Sequence, residues 1–454
     1  MAAAFLFITV IGLLAIGLPI AIALGLSSTL FLLVYSDSSL GSVAQTLFNA
    51  FEGHYTLLAI PFFVLASTFM ATGGVAQRII RFAIACVGHF RGGLAIAGVF
   101  ACMLFAALSG SSPATVVAIG SIVITAMRQV GYSNDFAAGV ICNAGTLGIL
   151  IPPSIVMVVY AAAVDVSVGR MFLAGVIPGL LGGIMLMIGI YLVACWRGLP
   201  SQDWAGWREV FAAGRDAFWG LFLIVIILGG IYGGIFTPTE AAAVAAVYAF
   251  VVSNFVYRDM GPLQAESDAR GPLIWRVVAV LWHPDTKKTL YDAGKLTVLL
   301  MFIIANALIL KHVLTEEQIP QTVAGFILDA GFGPITFLIA LNLILLLGGQ
   351  FMEPSGLIII VAPLVFPIAM TLGIDPIHLG IIMVVNMEVG MITPPVGLNL
   401  FVTSGVAGMS TLQVVRAALP GLGVLVLLLI LITYIPWLST ALPTWLMGAE
   451  AVRP

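Results

Sequence analysis

Apolar residues run along this chain in long blocks, separated by short polar stretches. A helix that crosses a bilayer needs about 20 predominantly apolar residues. Blocks of that kind fall at about 5–34, 56–76, 94–127, 135–164, 173–195, 217–235, 239–256, 295–313, 333–371, 377–407 and 414–438. Two of them, 94–127 and 333–371, are too long for one straight crossing. Each has a Gly/Ser/Pro-rich interruption near its middle, at Ser109-Gly110-Ser111-Ser112-Pro113 and at Gly348–Ser355. The pattern predicts an all-α polytopic membrane protein with two re-entrant hairpins.

Composition agrees. Of 454 residues, 61% are hydrophobic and 8% charged, too little charge to cover a water-soluble surface. The net charge of -3 carries no electrostatic footprint for nucleic acid. Cys86, Cys102, Cys142 and Cys195 sit inside apolar runs, spaced too widely for a zinc knuckle, and read as packing residues. No basic residue precedes the first apolar stretch, which is longer than a signal-peptide core. It therefore reads as a retained spanning helix.

Basic residues orient the segments, because Lys and Arg concentrate in cytoplasmic loops. Arg78, Arg81 and Arg91 flank one end of 94–127 and Arg128 the other, so this segment enters and returns on the inner side. Arg197, Arg208 and Arg215 place the next loop inside, and the polar insertion at about 258–292 reads as cytoplasmic. The stretch Ser36 to Tyr55 has no Lys or Arg and reads as external, with Arg170 a lone exception. The N-terminus is then cytoplasmic and the C-terminus periplasmic.

An internal repeat runs through the chain. Gly148-Ile-Leu-Ile-Pro152-Pro153-Ser154 matches Gly390-Met-Ile-Thr-Pro394-Pro395-Val396 at an offset of 242. Near the same offset, Ser111-Ser112-Pro113-Ala114 meets Met352-Glu353-Pro354-Ser355. Both halves follow the order helix, hairpin, broken helix, helix, and the orientation inverts one against the other. Inverted repeats with broken helices point to a secondary transporter. The organisation expected is 1–55 as an N-terminal scaffold helix and external loop, and 56–195 as the first repeat with hairpin 94–127 and broken helix 135–164. Linking scaffold helices and a polar loop follow at 196–294. The second repeat, 295–438, holds hairpin 333–371 and broken helix 377–407, and 439–454 is a tail.

The interruptions carry the candidate chemistry. Unwound backbone at membrane depth persists only where it is buried in protein or lines a wet cavity. A double proline cannot continue a helix and removes two donors, so neighbouring carbonyls are freed. Freed carbonyls with hydroxyls suit a sodium ion, and helix N-termini suit carboxylate oxygens. Two sodium sites are expected, one per hairpin–break pair. The first draws on Ser109, Ser111, Asn143, Gly145 and Gly148, the second on Glu353, Gly390, Thr393 and Gly397. Ser111, Ser112, Ser154, Thr393 and Pro395 are the expected substrate contacts. Glu353 and Glu388 are ionisable residues at membrane depth, which are functional candidates by default. Glu353 fits a sodium ligand or a proton carrier, and Glu388 fits either a functional role or bonding to unwound backbone. Asn386, like Asn143, lies just upstream of its break. Thr237-Pro238-Thr239-Glu240 reads as a helix cap, and Lys311 to Thr322 as a segment lying along the interface. No Gly-x-x-x-x-Gly-Lys-[Ser/Thr] loop, His-Glu-x-x-His or Gly-x-Ser-x-Gly motif occurs, which argues against ATP hydrolysis and intramembrane proteolysis.

Five motifs together resemble the large membrane subunit of the tripartite ATP-independent periplasmic (TRAP) transporters. They are Leu57-Leu-Ala-Ile-Pro-Phe-Phe63, Ser109-Gly-Ser-Ser-Pro-Ala-Thr115, Gly148-Ile-Leu-Ile-Pro-Pro-Ser154, Gly234-Ile-Phe-Thr-Pro-Thr-Glu-Ala241 and Glu388-Val-Gly-Met-Ile-Thr-Pro-Pro-Val-Gly-Leu-Asn399. The resemblance implies an elevator fold, in which a mobile domain holds both hairpins and both broken helices. It implies sodium-coupled symport of organic acids, such as C4-dicarboxylates or sialic acids, across a bacterial inner membrane, with no enzymatic step and no organic cofactor. The implied partners are a small membrane subunit of about four helices and a periplasmic substrate-binding protein. The family's ion and substrate residues map onto Ser109, Ser111, Ser154 and Glu353. The insertion at 258–292 departs from the family pattern. A stand-alone sodium/dicarboxylate symporter with similar hairpins is the alternative.

Overall fold

The computed structural model describes residues 2–35, 55–71, 74–264, 273–316 and 333–448, with isolated positions at 41, 45, 318, 325 and 331. Among them the regular structure is helical, with no strand. The chain opens with α1 (Ala2–Ala15) and α2 (Ile20–Tyr35), then α3 (Ala59–Ala71) and α4 (Val75–Val87). The first hairpin is α5 (Gly93–Ser109) and α6 (Ser112–Gln129), and the first broken helix is α7 (Asn134–Thr146) and α8 (Ile155–Val164). Next come α9 (Val168–Arg197), α10 (Gly206–Ile224), α11 (Pro238–Val251) and α12 (Pro284–Glu316). The second hairpin is α13 (Pro334–Gly349) and α14 (Pro354–Thr371), and the second broken helix is α15 (Pro376–Gly390) and α16 (Leu398–Ala407). The described chain closes with α17 (Thr411–Tyr434) and α18 (Trp437–Met447).

Some expectations change. The block 5–34 is two helices, because Gly17 takes a positive φ and Pro19 follows it. Helix α4 lies outside the apolar blocks because it is amphipathic: Arg78 and Arg81 hold acidic partners while Ile79, Ile80 and Ala83 are buried. Helix α12 starts well before 295, inside the polar insertion. Its end includes Lys311 and His312, so the described part of the expected interfacial segment continues a long helix. Apart from Gln318, the remainder, with Glu317, lies outside the described residues, as do most of Ser36–Tyr55 and residues 265–272 of the insertion. The expected tail holds α18, which packs on α9. The cap at Thr237 forms as expected. Its Oγ1 accepts from Glu240 N at 3.3 Å, and Glu240 Oε2 accepts from Thr237 N at 2.8 Å.

Hydrogen bonds at helix ends set the direction of each element. Gly92 N donates to Pro200 O, and Tyr132, just past the first hairpin, donates its hydroxyl to the same carbonyl at 3.2 Å. The first hairpin therefore starts and finishes on one face. Asn134 opens the first broken helix and donates to Ala407 O, which closes the second, at 3.3 Å. Tyr160 near the end of the first donates to Pro376 O at the start of the second, at 2.7 Å. The two broken helices are thus antiparallel, and the repeats are inverted. The Pro200 face gathers Arg91, Arg128 and Arg197, with Arg78 on Asp259 at 2.6 Å and Arg81 on Glu209 at 2.8 Å. The opposite face holds Lys311 on Asp165 at 3.2 Å, and Arg170 on the carbonyls of Met447 and Gly448.

Six described helices are long and apolar enough to cross a membrane. Leu192, Phe211, Val247 and Val298 stand exposed on them, as lipid-facing residues do in a solvent as apolar as the core. The interior runs instead through the hairpins and broken helices, where α8 and α15 are buried along their whole lengths and α7 from Ala137 onward.

Candidate functional site

Each hairpin tip sits against its own break. At the first tip, Gly110 takes φ 57 and ends α5, Ser111 is extended, and Pro113 stands in the first turn of α6. Left-handed backbone suits glycine, and proline suits a first turn because no intrahelical donor is lost there. Gly148 faces this tip so closely that a Cβ there would lie 2.7 Å from Ser111 O. At the second tip Glu353 caps α14, ahead of Pro354, and a Cβ on Gly390 would lie 2.9 Å from Gly349 Cα. Gly397, at φ 61, donates its N–H to Gln350 O at 2.9 Å. Glycine is required at both breaks, since any side chain would push tip and break apart.

Polar bonds then join the halves. Ser112 Oγ, fully buried, donates to Gly145 O at 2.9 Å and accepts from Asn399 Nδ2 at 2.6 Å. One hydroxyl thus ties the first tip to both broken helices. Next to Gly145, the Thr146 hydroxyl donates to Glu388 Oε1 at 2.8 Å, and it lies 2.7 Å from Asn143 O. Thr146 and Glu388 are 242 positions apart, which is the repeat offset. Pseudo-equivalent residues can touch only at the axis relating the halves, so this bond marks that axis. Glu388 is fully buried, and its Oε2 has no protein partner among the described residues. Asn399 Oδ1 and Thr403 Oγ1 on α16 are in the same condition. Buried polar atoms of this kind ask for an ion, a water or a ligand.

The other expected residues are placed as follows. Ser109 Oγ lies 2.9 Å from Thr115 Oγ1 and 3.2 Å from Ser111 O, so both belong to the first tip. Ser154 caps α8, donating to Ile149 O at 2.6 Å and accepting from Met157 N at 3.4 Å. Thr393 donates back to Val389 O at 2.7 Å, beside the exposed Pro394 and Pro395. Glu353 accepts from Ser355 Oγ at 2.8 Å and from Gly356 N at 3.1 Å. Asn143 stands apart: its amide donates to Gly139 O and to Ala418 O on α17, facing a cavity away from the tips. Asn386 donates to Asn342 Oδ1 at 2.7 Å on the second hairpin. Thr146, Asn399 and Thr403 were not singled out from the sequence. The offset that aligns Pro152 with Pro394 also aligns Thr146 with Glu388, and that signal was available.

Comparison with known proteins agrees with this geometry. Residues 7–438 match the family model described as "Tripartite ATP-independent periplasmic transporter, DctM component". The chain is 73% identical over 452 residues to the C4-dicarboxylate TRAP transporter large permease protein DctM of Vibrio cholerae, covering 100% of both chains. It is 60% identical over 424 residues to the protein of that name from Pseudomonas aeruginosa, covering 93% of this chain and 94% of the other. Among solved structures it resembles the YdaH transporter of Alcanivorax borkumensis, with a TM-score of 0.60 over 89% of each chain. At 15% identity that likeness concerns the fold alone. Inverted repeats, paired tips and breaks, and a match along nearly the whole chain converge: this multi-pass membrane protein belongs to the DctM component family of the tripartite ATP-independent periplasmic transporters, a family of transporters and not of enzymes.

Proposed function

We propose that this chain is the membrane-transport component of a sodium-coupled uptake system for C4-dicarboxylates, set in a bacterial inner membrane. The observation that carries the reading is the buried cluster where the first tip meets both breaks, with polar atoms that no described residue satisfies. Sodium binds on the freed carbonyls and hydroxyls of Ser109, Ser111, Gly145 and Gly148 at the first tip. A second ion binds between Glu353 and the Gly390–Gly397 break. Asn143 is left out of the first set because its side chain turns toward α17 and a cavity away from the tips. The dicarboxylate lies between the tips, near Ser111, Ser112, Ser154, Thr393 and Pro395, where bound cations lower the cost of dehydrating it. Each tip packs on its own break, and Ser112 ties the first tip to the second broken helix as well, which supports an elevator-type movement of that cluster past the remaining helices.

The arginine-rich face is cytoplasmic by the positive-inside rule. The N-terminus is then cytoplasmic and the C-terminus periplasmic. A small four-helix membrane subunit covers part of the exposed apolar helix surface, and a periplasmic binding protein delivers the substrate, as the word tripartite in the family description supports.

Reconstituted vesicles test this. With the small subunit and the binding protein present, succinate uptake is expected to require an inward sodium gradient. Glu353→Gln is expected to raise the sodium concentration for half-maximal uptake several-fold. Uptake unchanged without sodium would end the coupling proposal, and full uptake without the binding protein would favour the stand-alone symporter.

A further inference from the structure

A cavity of about 460 Å³ opens between α5, α7, α9 and α17, away from the two tips. Its mouth lies on the arginine-rich face, where α9 ends and where α7 and α17 begin. Its wall is apolar, with Leu186, Ile190 and Val424. Arg197 and Arg416 stand at the mouth with Asp135, and neither arginine forms an ion pair with a described residue. Two guanidiniums against one carboxylate leave one positive charge. At the cavity wall Asn143 is 2% exposed, and its Oδ1 has no hydrogen-bond partner among the described residues. Gly421 keeps the facing turn of α17 low, since a Cβ there would overlap the Asn143 amide.

Wall and mouth select for the same kind of occupant. An apolar wall beneath that mouth takes an acyl chain. A net positive mouth at the membrane boundary takes a phosphodiester, and basic pockets between helices on the cytoplasmic side are suited to anionic head groups. The geometry points to a binding site for an anionic phospholipid of the phosphatidylglycerol type between α7, α9 and α17, with its phosphate on Arg197 and Arg416. The site holds lipid against the outer side of the body that contains both tips. It depends on the membrane placement of the chain and not on sodium coupling or substrate, so the two readings fail separately.

Native mass spectrometry of the full chain in detergent tests it, with phosphatidylglycerol, phosphatidylethanolamine and soluble glycerol 3-phosphate titrated separately. Phosphatidylglycerol is expected to bind at least tenfold more tightly than phosphatidylethanolamine. The Arg197→Ala/Arg416→Ala double variant is expected to remove that preference. Arg416→Gln alone is expected to reduce it, which keeps the test available if the double variant does not fold. Equal binding of the two lipids, or an unchanged preference in a folded variant, would overturn the site. Glycerol 3-phosphate binding as tightly as the lipid would assign the cavity to a soluble anion instead.

Discussion

The two double-proline breaks carry nearly the same sequence and sit in different surroundings. Pro152 and Pro153 are buried, whereas Pro394 and Pro395 are exposed. The first break ends in Ser154, whose side chain caps α8; the second ends in Gly397, at φ 61, with no side-chain cap. The tips differ in the same sense. Ser112 reaches into both broken helices, while Glu353, which meets it in the repeat, bonds to Ser355 and Gly356 within its own tip. At the breaks, the first repeat is the internal buttress and the second is the open side. One backbone plan, used twice, can therefore hold the fold together in one copy and leave the other accessible to a ligand or partner.

The sharpest test of this division lies on the axis where the halves meet. Thr146→Val leaves the buried Glu388 carboxylate without its protein partner. An unsatisfied buried group costs about 1–3 kcal/mol, and more when it is charged. We expect the larger end, about 3 kcal/mol, in detergent-solubilised unfolding. Adding Glu388→Leu should recover more than half of the loss, because removing both partners is far milder than orphaning one. Strictly additive losses in the double variant would mean that the two residues do not support each other.

A smaller effect separates the tips. Ser112→Ala unpairs Asn399 Nδ2 and takes a donor from Gly145 O, both deep between the repeats, and should cost about 2 kcal/mol. Ser355→Ala unties one bond within its own tip and should cost about 1 kcal/mol or less. Melting temperatures of the two variants measured side by side decide it. A larger loss for Ser355→Ala would reverse the assignment of buttress and open side.

Much of this was legible in the sequence, for physical reasons. Apolar block length gave the bilayer, and the Gly/Pro interruptions gave the tips and breaks, because few residues tolerate those backbones. The inverted order followed from where Arg91, Arg128 and Arg197 fall. Less legible were residues whose role depends on which helix faces them. Asn143 precedes its break as Asn386 does, yet it turns toward α17 while Asn386 turns toward the second hairpin. Asn399 carries no local signal for meeting Ser112 across 287 positions. Helix α4 escaped because amphipathic burial against α10, through pairs such as Arg81 with Glu209, does not produce a long apolar run.

The mildest perturbation asks about access and leaves stability nearly untouched. Ser154 and Val396 are equivalent by the repeat, the first 1% exposed and the second half-buried next to exposed prolines. In a background with Cys86, Cys102, Cys142 and Cys195 replaced, Val396→Cys should react with a water-soluble maleimide at least tenfold faster than Ser154→Cys. The thiol differs from valine by little in size, and position 396 holds no hydrogen bond that the change would remove, so the rates report exposure and not damage. Substrate and sodium together should slow the reaction at 396 if the open break borders the binding site, and should leave 154 as it was. Equal rates at the two positions would show that the breaks are equally open, and the asymmetry between the halves would then lie only in their hydrogen bonds.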